Sequence, residues 1–188
     1  MKKLLTVAAL ALLVPTMASA GANTYGWSVS GSSSTPDNNI GAPSGTPGLV
    51  TLYCWMECTS NGGWSAAEFD VAATGALSVV GFTPMNGVLN AGTATALLIA
   101  VGGCPEGQFL AGSWSIFDTG TGGTICTVDS AQNGWHVSVD CDPVNPTTHT
   151  NSRVGFTSDG SALCENQASP CIVPVEETSW STVKALYR

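Results

Sequence analysis

The stretch Phe117-Asp118-Thr119-Gly120-Thr121 closes an apolar run on an acid set among small residues. Two such aspartates that share a proton can activate water for peptide hydrolysis. That chemistry needs a second copy, and Asp129-Ser130-Ala131 is a poor one. Asp-Thr-Gly-Thr-Gly-Gly also suits a hairpin, because glycine takes positive φ and aspartate bonds to nearby backbone. The hairpin reading is preferred. Glu68 and Asp70 fall on one face of a strand candidate, about 7 Å apart. A glycosidase pair can have that separation, and so can a solvated strand face. His136 lies in Trp135-His-Val-Ser-Val139, where alternation predicts a solvent-facing ring opposite Trp135 and Val137. His149 is expected in a polar loop. No nucleophilic serine motif stands in a strand–turn–helix setting. The chain reads as a non-enzyme.

Asp140-Cys-Asp-Pro-Val-Asn145 offers oxygens from Asp140, Asp142 and Asn145. These are weak calcium candidates, since no glycine-centred loop with a terminal glutamate surrounds them. A polar loop tied down by Cys141 is expected, with no other metal or cofactor. Six tryptophans raise a second possibility, because exposed rings can stack on sugars. Trp55, Trp114 and Trp135 fall within strand candidates and read as core or half-buried. Trp27 and Trp64 are the candidates for ligand stacking.

All seven cysteines follow the first twenty residues. In an oxidising compartment they imply disulfides, and an odd number leaves one over. Spacing predicts Cys164 with Cys171, Cys104 with Cys126, and Cys58 with Cys141. Cys54 shares the apolar Val50–Leu52–Met56 face and is the candidate free thiol.

Positioning these groups falls to short strands. Residues 1–20 read as an export signal: Lys2 and Lys3, an apolar run from Leu4 to Val14, then Ala18-Ser19-Ala20. Residues 21–47 form a Gly/Ser/Pro-rich arm or loop, with Tyr25, Trp27 and Val29 as one edge strand. Residues 48–174 carry strand candidates separated by turns such as Asn86-Gly87 and Asn133-Gly134. The pattern predicts an all-β fold, an antiparallel β-sandwich. From 175 to 188 the period changes. Trp180, Val183, Leu186 and Tyr187 share one face of a short C-terminal helix, a candidate recognition tail.

Composition narrows the partners. Charged residues are 10% of the 188, apolar ones 44%, and there are 22 glycines. Without the leader, three Lys and Arg face 13 acids, a surface that repels nucleic acid and anionic lipid. No stretch after the leader approaches a membrane span.

The ending Cys171-Ile-Val-Pro-Val-Glu-Glu-Thr-Ser-Trp-Ser-Thr-Val-Lys-Ala-Leu-Tyr-Arg188 resembles that of a group of uncharacterised secreted bacterial proteins. Their tails read C-x-x-P-V-E-x-x-[ST]-W-x-x-[IV]-K-x-L-Y. Gly48-Leu-Val-Thr-Leu-Tyr53, Gly103-Cys104-Pro and Val139-Asp-Cys141 are similar too. A looser similarity, at Ala66–Val71 and Leu110–Phe117, is to cohesin-like and other immunoglobulin-like modules. These resemblances imply secretion and an all-β body, and bring no chemistry. The expectation is a secreted, extracellular or periplasmic, non-catalytic surface or matrix module. Its partner would be a cell-surface or extracellular protein, or a polysaccharide. The alternative is a carbohydrate-binding module, and the third reading a secreted hydrolase.

Overall fold

The computed structural model describes residues 25–36, 40–58, 63–161 and 164. The leader, Cys171 and the tail with Trp180, Val183, Leu186 and Tyr187 lie outside them, as does the side chain of Cys58. The described residues are all-β, with no helix. Nine strands follow in order: β1 Tyr25–Ser30, β2 Gly48–Cys58, β3 Trp64–Pro84, β4 Val88–Asn90, β5 Ala96–Val101, β6 Phe109–Val128, β7 Val137–Asp140, β8 Thr148–Val154 and β9 Phe156–Thr157.

The strands form a closed ring where a two-sheet sandwich was expected. Pairing runs β3–β7–β8–β1–β2–β6, and β6 returns to β3. β5 and β4 flank β3 outside this ring, and β9 flanks β6. All pairs are antiparallel except β1–β8. Closure depends on two long strands. β3 pairs with β7 and β5 through its first residues, then follows β6 as far as Pro84. Both bend where Gly75 faces Gly123. A Cβ on Gly123 would stand 2.1 Å from the Thr74 carbonyl oxygen, so only glycine fits this corner.

Three sequence expectations change here. Asp118-Thr119-Gly120 is no hairpin tip, because β6 runs through it as one bent strand. β1 is no edge strand, since it lies between β2 and β8 with all six residues buried. Its bulky Tyr25, Trp27 and Val29 alternate with Gly26, Ser28 and Ser30, so neighbours close over both sides. His149, expected in a loop, stands on β8 and pairs with Ser138.

Tryptophans organise the core. Trp27 meets Trp64 edge-on at 5.0 Å and Phe69 at 5.2 Å, and its Nε1 donates to Ser138 Oγ at 2.9 Å. Trp114 Nε1 donates to the Ala94 carbonyl at 3.1 Å. Among the described residues two disulfides brace the ring, Cys104–Cys141 and Cys126–Cys164. They replace the expected pairings, because closure brings the β5–β6 loop to the end of β7, and the segment after β9 to β6. Cys54 is a free thiol in the core, and burial pushes its pKa up.

Candidate functional site

Most of the reactive groups are tied into structure. Asp118 is 2% exposed. Its Oδ1 accepts from the Gly120 and Gly122 amides at 2.7 and 3.1 Å, and its Oδ2 from the Ser44 amide and hydroxyl at 3.1 and 2.9 Å. The Gly120 amide, helped by those of Ser44 and Gly122, lowers its pKa to about 2. It clamps the 41–47 segment onto the bend of β6. This clamp predicts that Asp118→Asn loses about 1–3 kcal/mol of stability, because an amide turns N–H toward N–H. The carboxylate's contribution is complete above pH 4 and lost as pH falls through about 2. Urea unfolding of both proteins at pH 7 and pH 3 measures this, with the gap between them narrower at pH 3.

His136 is buried, where a solvent-facing ring was expected. It lies on Phe69 at 5.3 Å, and neither ring nitrogen has a hydrogen-bond partner among the described residues. Burial, and then the Arg153 charge, lower its pKa to about 4. The unfolded chain therefore takes up the proton first on acidification. Stability should fall by on the order of 3 kcal/mol between pH 6.5 and pH 4. A denaturation series over that range should show this loss in the native protein and not in His136→Leu.

The calcium candidates are engaged by N–H donors. Asp140 Oδ1 accepts from the Asp142 and Thr147 amides, and its Oδ2 bonds His149 Nε2 at 2.8 Å. The His149 contact and the Thr147 amide lower the Asp140 pKa. Asp142 Oδ1 accepts from the Val144 and Asn145 amides, forming an Asx turn. No group of three His, Cys, Asp or Glu among the described residues is arranged to hold a metal. Trp27 and Trp64 are fully buried and cannot stack on a ligand. Among the described tryptophans the exposed one is Trp135, at 54%.

Trp135 stands beside an extended apolar face. Register places Leu89, Ala100, Ala66, Val139 and Thr148 in a cross-strand row, with Leu98, Glu68, Val137 and Thr150 beside it. All these side chains point outward. Leu89 is 73% exposed and Leu98 50%. Small Ala66 makes the floor of a groove whose walls include Leu98 and Trp135. The 130–135 turn that presents Trp135 is fixed on three sides. Ser130 N donates to the Trp135 carbonyl at 2.7 Å, Ala131 N to Asp70 Oδ2 at 2.9 Å, and Asn133 Nδ2 to Glu68 Oε1 at 2.6 Å.

Glu68 and Asp70 are thus half-buried anchors of this turn, and each keeps one oxygen with no protein donor among the described residues. Those carboxylates line a second hollow of about 230 Å³ with Thr93, Ser130, Gln132 and Asn133. That is below the 300–1,000 Å³ typical of small-molecule pockets. The two hollows meet at Glu68 and Leu98. The arrangement is an apolar groove that borders a hollow with two carboxylates. Sequence reading missed it by reversing the parity of one strand.

No family model matches the chain, and no curated protein sequence does. Among solved structures it is similar to the sixth cohesin of scaffoldin B from Acetivibrio cellulolyticus, solved with a Cel5 dockerin variant. Identity is 13% and TM-score 0.45, over 72% of this chain and 99% of that one. The seventh ScaB type I cohesin from Pseudobacteroides cellulosolvens is 10% identical with TM-score 0.49, over 79% of this chain and 99% of that one. A type I cohesin in a cohesin–dockerin complex from Clostridium thermocellum is 10% identical with TM-score 0.41, over 74% and 98%.

Proposed function

We propose that the protein is an exported, non-catalytic module that binds another protein through the outer face of β4, β5, β3 and β7. The observation that carries this is the exposed strip of Leu89, Leu98 and Trp135 on a strand framework. An apolar face of this kind, bordered by polar groups, is characteristic of docking surfaces. A protein partner fits it better than a polysaccharide. Sugar rings stack on aromatic faces, and Trp135 is the one exposed large aromatic side chain here, the rest of the strip being aliphatic. Export fits two disulfides and the leader-like start. The tethering of Asp118, Asp140 and His149 supports the non-catalytic reading.

Selection of a displayed random-peptide library on the full-length protein tests this. Selected peptides should bind Trp135→Ala at least tenfold more weakly, with the thermal midpoint of that variant unchanged. Peptides that bind the variant equally well, or a neutral oligosaccharide such as cellohexaose that shifts Trp135 fluorescence instead, would overturn it.

A further inference from the structure

We infer, on the basis of that docking face, that its partner presents a basic segment, in which a Lys or Arg flanked by aliphatic residues lies extended along the groove. The groove is apolar on one side and anionic on the other. Leu98, Ala66, Val137 and Val139 offer aliphatic contact, and Glu68 stands where this surface meets the hollow it shares with Asp70. Among the described residues one oxygen of each carboxylate has no donor, and the exposed Trp135 lines the groove beside Glu68. A cation where groove and hollow meet would face the Glu68 carboxylate, with the Trp135 indole on the groove side and the Asp70 carboxylate on the hollow side, and an indole attracts cations to its ring face. A neutral segment would leave that charge unused.

The surrounding charge favours the same partner. The described residues hold nine Asp and Glu against one Lys or Arg, and that Arg153 is already bonded to Asp129. Such a field repels acidic chains and speeds encounter with basic ones. The aliphatic walls contribute contact in either case, so charge is the discriminating feature.

The test uses the same displayed library and full-length protein. Recovered peptides should be enriched in Lys or Arg next to Leu, Ile or Val. Their affinity should fall about fivefold to tenfold for Glu68→Gln/Asp70→Asn, and should drop as salt rises from about 50 to 500 mM. Both substitutions keep the acceptors for Asn133 and Ala131, so the turn stays in place and the thermal midpoint should not move. Peptides that need Trp135 but carry no cation, or that ignore the double variant, would overturn this inference while leaving the docking face intact. Peptides indifferent to Trp135→Ala would overturn the docking face as well.

Discussion

Trp27→Ala is expected to lower the unfolding free energy by about 3–5 kcal/mol, the range for deleting a large core aromatic. The ring is fully buried against Trp64 and Phe69, so its loss opens a cavity between β1 and β3. It also strands the Ser138 hydroxyl, which accepts from the indole inside the core. Domains of this size are stable by about 5–15 kcal/mol, so the loss removes a large share of the total and should shift unfolding to markedly lower urea. Trp27→Phe keeps an aromatic ring but loses that hydrogen bond and part of the buried ring volume, so a smaller loss of about 1–3 kcal/mol is expected. Urea titration of the two variants gives both values. A loss below about 1 kcal/mol for Trp27→Ala would contradict the interior placement of β1.

Removing the Cys126–Cys164 bridge with Cys126→Ala/Cys164→Ala should cost about 4 kcal/mol. The crosslink spans 38 residues of sequence, and loop-closure entropy gives that magnitude. The residues inside it include β7, β8 and β9, and β8 is the parallel neighbour of β1. The crossing is tight. A Cβ on Gly155 would stand 1.9 Å from Cys164 Sγ and 2.7 Å from the Ile125 carbonyl oxygen. Limited proteolysis of the double variant should cut first between 129 and 163. Peptide mapping without reduction should find Cys126 joined to Cys164 and Cys104 joined to Cys141. Recovery of a peptide joining Cys104 to Cys126 would refute this arrangement.

Alternation along the chain was enough to read an all-β fold, because Val50–Met56 and Ala67–Val71 show period two directly. It could not show closure. That depends on which distant strands meet, and the Gly75 and Gly123 corner looks in sequence like ordinary turn punctuation. β8 was hidden for another reason. Thr148-His-Thr-Asn-Ser-Arg-Val154 is almost wholly polar, and pairing on both sides makes it a strand. The disulfide partners were equally out of reach, since each bridge joins segments 37 or 38 residues apart.

The candidate site was misread through one parity choice. Trp135, Val137 and Val139 were assigned inward and His136 outward, and the fold does the reverse. Alternation gives two faces without saying which is the interior, and a single flip exchanges every side chain. The turn from Ser130 to Trp135, held by Asp70 and Glu68, settles the choice. In sequence those acids fit a glycosidase pair or a solvated face, and their role as anchors appears only once β3 and that turn are adjacent.

Oxidative footprinting of tryptophan, read by mass spectrometry, tests the binding face most directly. Of the five described tryptophans, Trp135 is 54% exposed, Trp55 7%, and the other three are fully buried. In the free protein Trp135 should therefore be modified before these four. In complex with a peptide selected on the native protein, its modification should slow severalfold while that of Trp55 stays unchanged. Unaltered modification of Trp135 at saturating peptide, with protection appearing instead at a surface such as Leu49 and Phe117, would contradict the account.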